Sequence, residues 1–233
     1  LYDATTNAVA SDLSTHANLV GSQTLALSGT GTIASKNVGS NKTVSIGTLA
    51  LADGSNGGLA ANYTLTGGTH QLTVNQRPLN ATLARQYDAT TTSAGSTLSS
   101  FDALQGGENL TMTGSGTAAS KNVANGIAMS SNGNLALVDG TGLASNYSLN
   151  STVINISKRV LNSSGSKTYD ANTDALAGAI TLSNLASTET INHSGTASTS
   201  SANAASYTIS NLTGVSIADG TNGGLASNYT LTG

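Results

Sequence analysis

Gln71-Leu72-Thr73-Val74 and Val153-Ile154-Asn155-Ile156 carry polar and apolar side chains with a period of two. That period turns one face of an extended chain to a core and the other to water, so both segments read as half-buried β-strands. Each runs into a basic position followed by Leu: Gln76-Arg77-Pro78-Leu79 and Lys158-Arg159-Val160-Leu161. A second short strand, 79–87 or 161–169, then leads into Tyr-Asp. Pro78, the only proline, fixes its own φ and biases Arg77 to an extended backbone.

Working outward, the same landmarks return. Tyr2-Asp3-Ala4 recurs as Tyr87-Asp88-Ala89 and Tyr169-Asp170-Ala171, at intervals of 85 and 82 residues. Asn62-Tyr63, Asn146-Tyr147 and Asn228-Tyr229 recur at 84 and 82. A period this long corresponds to one small module per repeat. The partition is 1–77, 78–159 and 160–233. By it the first repeat lacks the strand preceding Tyr2, and the third lacks the strand that follows Tyr63 and Tyr147. With Leu1 in place of an initiating Met and no visible signal peptide, the chain reads as a window from a longer array.

Within a repeat, apolar runs at 24–27, 43–51 and 63–74 match those at 110–113, 127–138 and 147–156. Gly and Asn fill the turns, Asn132-Gly133-Asn134 among them. Residues 12–19 and 99–104 suit one helical turn each, and no long segment has helical periodicity. The expected fold is all-β: a tandem array of three small β-sandwich-like modules, with a β-grasp-like sheet carrying one short helix as the alternative. A parallel β-helix does not fit, because its rungs repeat at roughly 20 to 30 residues.

Composition narrows the function. Only 8% of the residues are charged, at net charge −3, and Ser and Thr make up about 29%. Leu, Ile, Val and Phe make up about 20%, which gives thin cores in modules near the small end of what folds alone. The eight Lys and Arg are scattered, so no basic face is available for nucleic-acid phosphates. No run of about 18 apolar residues exists for membrane insertion. Cysteine is absent, which removes disulfides and thiolate chemistry.

No residue set speaks for catalysis, and no cofactor is expected. Six of the seven tyrosines sit in the two landmarks: Tyr2, Tyr87 and Tyr169, and Tyr63, Tyr147 and Tyr229. They read as buried pins in an aromatic-poor core. Asp3, Asp88 and Asp170 then accept bonds from the following backbone in an Asx-turn. The loops Asp53-Gly54-Ser55-Asn56-Gly57-Gly58 and Asp219-Gly220-Thr221-Asn222-Gly223-Gly224 are oxygen-rich. Asp53, Asn56, Asp219 and Asn222 are therefore weak calcium candidates beside the plainer reading of a Gly-rich turn. His16, His70 and His193 occupy unmatched positions without ligand spacing. Lys36-Asn37 and Lys121-Asn122 raise an intramolecular isopeptide reading that the third repeat, lacking the Lys, does not share. Eleven Asn-X-Ser/Thr sequons include Asn62, Asn80, Asn109, Asn146, Asn155 and Asn228.

Tyr-Asp-Ala-Thr-Thr at 2–6 and 87–91, Gly-Thr-Ala-Ala-Ser-Lys-Asn-Val at 116–123 and Ala-Ser-Asn-Tyr-Ser-Leu at 144–149 resemble the YDG/MBG-type repeats of large filamentous-haemagglutinin-like surface proteins of Gram-negative bacteria. The family's third motif residue is Gly; all three copies here have Ala. The third repeat replaces Lys-Asn-Val with Ser201-Ala202-Asn203-Ala204-Ala205. The resemblance implies a secreted or surface-anchored adhesin, exported through an outer-membrane partner, with roles in biofilm formation or host attachment. Two readings of the repeats follow. One is a stalk that projects a distal adhesive region. The other is a set of weak contacts to a glycan, biofilm polysaccharide, host-surface receptor or other repeats, multiplied by copy number. Against the latter stands the scarcity of exposed aromatics for sugar stacking.

Overall fold

The structure is a computed structural model that describes residues 1–13, 18–68, 70–207 and 209–231. Among these the chain is all-β. Strands of three to eleven residues alternate with turns, and the only helices are three-residue 3-10 turns. The single short helix of a β-grasp arrangement therefore does not form among the described residues.

Two compact units divide the chain, and neither is a sequence repeat. The first comprises Leu1–Asn80, Phe101–Met112 and Leu137–Ser151; the second comprises Ala81–Ser100, Thr113–Ala136 and Thr152–Gly233. The partition at 77/78 and 159/160 describes the repeat. The compact unit instead joins parts of successive repeats.

In the first unit, Asn7–Val9 pairs antiparallel with Thr30–Ile33, which pairs with Gly39–Ser45, which pairs with Gln71–Val74. Leu25–Ser28 and Ala50–Asp53 form a separate antiparallel pair. The strands close on a core that includes Tyr2, Ile33, Val44, Val74, Leu79 and Tyr147. Each such large side chain, once buried, contributes roughly 1.5–3 kcal/mol.

In the second unit, Thr92–Ala94 pairs with Ser115–Ala118, and Ser115–Ala118 with Ala124–Ser131. The other edge of Ala124–Ser131 takes the end of Tyr147–Ser157, with Ile127 opposite Ile154 and Ala124 opposite Ile156. Ile154 and Ile156 are buried, which is the use their period of two anticipates. Further along, Ile191–Thr199 pairs with Asp174–Leu176, Ile209–Asn211 and Val215–Asp219. Arg159–Gly165 lies between Ile180–Ser183, antiparallel, and Tyr229–Leu231, parallel.

Several expected runs are shorter than the apolar pattern suggests. The run at 43–51 breaks into Gly39–Ser45 and Ala50–Asp53, because Gly47 turns the chain at φ +56°. The run at 127–138 breaks likewise at Gly133, φ +53°, inside the anticipated Asn-Gly-Asn turn. Of 63–74 only Gln71–Val74 is strand. The helical turn anticipated at 99–104 is a strand, Leu98–Phe101, preceded by a 3-10 turn at Gly95–Thr97. A second 3-10 turn ends at Asp12, and residues 14–17, which include His16, lie outside the described residues. Each Asn-Tyr landmark is entered through a 3-10 turn: Ala60–Asn62, Ala144–Asn146 and Ala226–Asn228.

Candidate functional site

The site grows from the Tyr-Asp-Ala turn. Asp3 Oδ1 accepts the Thr5 amide at 2.9 Å and the Thr5 hydroxyl at 3.0 Å. Asp88 Oδ1 accepts the Thr90 amide at 2.9 Å, and Asp170 Oδ1 the Asn172 amide at 3.1 Å. A cation from the preceding strand braces two of these turns. Arg85 pairs with Asp88 and donates to the Thr90 carbonyl; Lys167 pairs with Asp170 at 2.7 Å and donates to the Asn172 carbonyl. Ala4, Ala89 and Ala171 sit in the left-handed region at φ +64°, +65° and +64°. An L-residue with a Cβ is disfavoured there and Gly is not. The turn thus explains why the motif favours Gly, and it places a small strain on each Ala.

The turn aims its tyrosine inward. In the first unit Tyr2 is fully buried and meets Tyr147 edge-on, ring centroids 5.3 Å apart at 79°. Both hydroxyls donate to one carboxylate: Tyr2 to Glu108 Oε1 at 2.6 Å, Tyr147 to Glu108 Oε2 at 2.8 Å. Lys36 Nζ donates to Oε1 at 2.6 Å and lies 5.8 Å from the Tyr2 ring centroid. The Tyr147 hydroxyl in turn accepts the Gln105 amide at 3.1 Å. Beside this, buried Asn146 accepts the Val38 amide at 2.9 Å and donates to Asn37 Oδ1 at 3.0 Å.

The second unit repeats the arrangement group for group. Tyr87 meets Tyr229 edge-on at 5.5 Å and 82°. Glu189 receives Tyr87 at 2.6 Å, Tyr229 at 2.7 Å and Lys121 at 2.8 Å. Tyr229 accepts the Ala186 amide, and Asn228 joins the Val123 amide to Asn122. Each cluster therefore draws Tyr-Asp and Lys-Asn from one repeat, and its Glu and Asn-Tyr from the next.

Electrostatics hold the ion pair. Burial pushes the carboxyls of Glu108 and Glu189 up, but the hydrogen bonds from lysine and both tyrosines outweigh it, and each ends below its ordinary value. The bond to Glu189 raises Lys121, with burial opposing. Burial, reinforced by the neighbouring carboxylate, pushes Tyr147 and Tyr229 up to about 12. A charged amine and a charged carboxylate are the wrong states for condensation, which needs a free amine lone pair. The anticipated isopeptide partners are also not met: both lysines face Glu, not Asn.

The remaining landmarks are placed differently. Tyr63 is half-buried and donates to Gln23 at 2.5 Å, Gln23 standing where later repeats have Glu. Asn62 is exposed, and Tyr169 is 62% exposed. Sequence reading passed over Glu108 and Glu189. The signal was present: they are the chain's only two glutamates, 81 residues apart, and Gln23 precedes them by 85. Asn146 and Asn228, read as sequons, are buried, so a glycan would not fit the folded state.

The oxygen-rich loops are hydrogen-bonded turns. Asp53 Oδ1 accepts the Ala60 amide at 2.7 Å, and Asp219 Oδ1 the Ala226 amide at 2.8 Å. Asn56 donates to the Ser22 carbonyl and Asn222 to that of Thr188. A Cβ on Gly58 would lie 2.0 Å from the Thr24 carbonyl oxygen, and one on Gly224 1.9 Å from that of Thr190, so close packing accounts for these glycines. No group of three or more His, Asp or Glu converges among the described residues. His193 Nε2 bonds the carbonyls of Ala177 and Ile180. No helix among the described residues is long and apolar enough to cross a membrane.

All-β repeats locked by a buried Tyr–Glu–Tyr–Lys cluster define a structural class of module. The YDG domain family matches residues 1–72 and 69–154, two thirds of the sequence, and the chain belongs to that family. No curated protein and no solved structure matches it.

Proposed function

We propose that the chain is a load-bearing spacer of a bacterial surface adhesin, of the filamentous-haemagglutinin-like kind, that holds an adhesive region away from the cell for attachment or biofilm formation. The observation that supports this most is the cluster itself. Twice, a Tyr-Asp turn from one repeat is tied to the Glu and Asn-Tyr of the next. A chain whose successive repeats interlock resists local loss of one repeat better than a string of independent beads. The polar groups of the cluster are spent on each other and are not displayed to a ligand. In this reading the chain is not an enzyme, it lies outside the cell, and an outer-membrane partner exports it.

The test is direct. The fragment is titrated against a glycan array and host-cell surfaces, and it is stretched in a single-molecule force experiment. A spacer gives background binding and unfolds in steps longer than one repeat releases. Specific, saturable glycan binding by the fragment would make the repeats adhesive themselves.

A further inference from the structure

The third repeat carries a groove of about 740 Å³ bordered by Leu161–Lys167 and Tyr169 on one side and by residues 201–207 on the other, with Ala175, Ile180 and Leu212 lining it. The corresponding place is filled elsewhere in the chain. In the first unit Gln71–Val74 lies antiparallel along Gly39–Ser45, and the next residue, Asn75, receives the Tyr2 amide at 2.9 Å. In the second, residues 153–156 lie along Ala124–Ser131, and Ser157 receives the Tyr87 amide at 2.9 Å. Both Tyr2 and Tyr87 are fully buried, whereas Tyr169 is 62% exposed. One edge of Arg159–Gly165 pairs in parallel with Tyr229–Leu231 only as far as Leu161. Beyond it, no described strand meets that edge through Gly165, whose opposite edge is occupied by Ile180–Ser183. Edges left open beside an apolar floor favour the addition of a strand.

We propose that this groove is a strand-acceptor site for an extended segment of the type at residues 152–157, supplied by a YDG repeat of another polypeptide. The segment enters parallel to Arg159–Gly165, continuing the pairing that Tyr229–Leu231 begins, and antiparallel to residues 201–207. Its side chains alternate. Those equivalent to Ile154 and Ile156, both buried in their own unit, face Ile180 and Leu212, and the polar ones between face water. Its backbone then reaches the Tyr169 amide, as Ser157 reaches that of Tyr87. Specificity rests on the period of two, since a one-residue slip would turn the apolar face to solvent.

The experiment adds a fluorescent peptide with the sequence of residues 150–158 to the whole chain. Anisotropy follows binding, and hydrogen exchange locates it. The expected result is saturable binding, at least tenfold slowed exchange at 162–169 and 204–207, and at least tenfold weaker binding of a peptide carrying Ile154→Asn and Ile156→Asn. Absent binding, equal binding of the altered peptide, or protection confined to other strands would overturn the proposal. So would a dimer, seen by sedimentation without peptide, that already protects these residues, because the occupant would then be a second copy of this chain. Glycan binding or its absence does not bear on either outcome.

Discussion

Replacing Glu189 with Ala tests whether the carboxylate is the keystone of the second unit. The side chain is 2% exposed and accepts three hydrogen bonds, at 2.6, 2.7 and 2.8 Å. The two from tyrosine are buried, and bonds to a charged acceptor contribute about 1.5–3 kcal/mol each. Lys121 is about one third exposed, so water replaces its partner at small cost, and the ion pair adds at most about 1 kcal/mol. Loss of the acceptor leaves the Tyr87 hydroxyl without its bond, while Tyr229 retains the Ala186 amide. The expected loss is about 3–5 kcal/mol, the range for breaking a buried charged pair by removing one member. Urea titration followed by hydrogen exchange at the Tyr87, Val123 and Ala186 amides measures it within the second unit. Glu189→Gln, which keeps one acceptor oxygen, costs about 1–2 kcal/mol by the same reasoning. A loss below about 1 kcal/mol for Glu189→Ala, or equal losses for Ala and Gln, would refute the keystone reading.

The pH profile has two edges. Glu108 and Glu189 are depressed below the ordinary 4.5, so their contribution is complete above that pH and is lost as pH falls through their lower folded values. Tyr147 and Tyr229, raised from 10.0 to about 12, contribute fully below pH 10 and lose that contribution between pH 10 and 12; melting temperature against pH shows both edges, and Glu108→Ala flattens the acid one for the first unit. Ala89→Gly relieves a left-handed Cβ worth about 1–2 kcal/mol while freeing the unfolded chain by about 0.4–1 kcal/mol, so the urea midpoint rises by the equivalent of about 0.5–1 kcal/mol; a fall would mean that the turn is not strained. Tyr147→Ala costs about 3–5 kcal/mol, and the lost exchange protection lies at Tyr2 and Val38 in repeat one; unchanged protection there would show that Tyr147 serves its own repeat. The excised repeat 78–159 contains Tyr87 and Lys121 without Glu189 or Tyr229 and gives a poorly dispersed amide spectrum; a well-dispersed one would show that a single repeat folds.

How far the residues announce this arrangement depends on the range of the interaction. The strands around Ile154 and Ile156 were legible, because a period of two is a local property and their burial follows it. The Asx turns were legible for the same reason, since Asp88 and Thr90 are two residues apart. The breaks at Gly47 and Gly133 were harder to place, because an apolar run continues across each turn and only the positive φ ends the strand. What the sequence conceals is the partner. Tyr87 lies 102 residues from Glu189, farther than the 82-residue period, so a reading that closes each repeat on itself pairs Tyr87 with Tyr147 and finds no carboxylate for either. Two glutamates in an otherwise almost uncharged chain were the available clue. A buried carboxylate is tolerated only with donors assembled around it, and the donors at hand are the recurring Tyr, Lys and Tyr. Because those donors come from both sides of a repeat boundary, the repeat is the unit of sequence and the clamp across the boundary is the unit of packing. A lesion in one landmark is therefore felt in the neighbouring repeat: Tyr229→Phe in the third repeat removes a donor from Glu189 and loosens Tyr87, which the second repeat supplies.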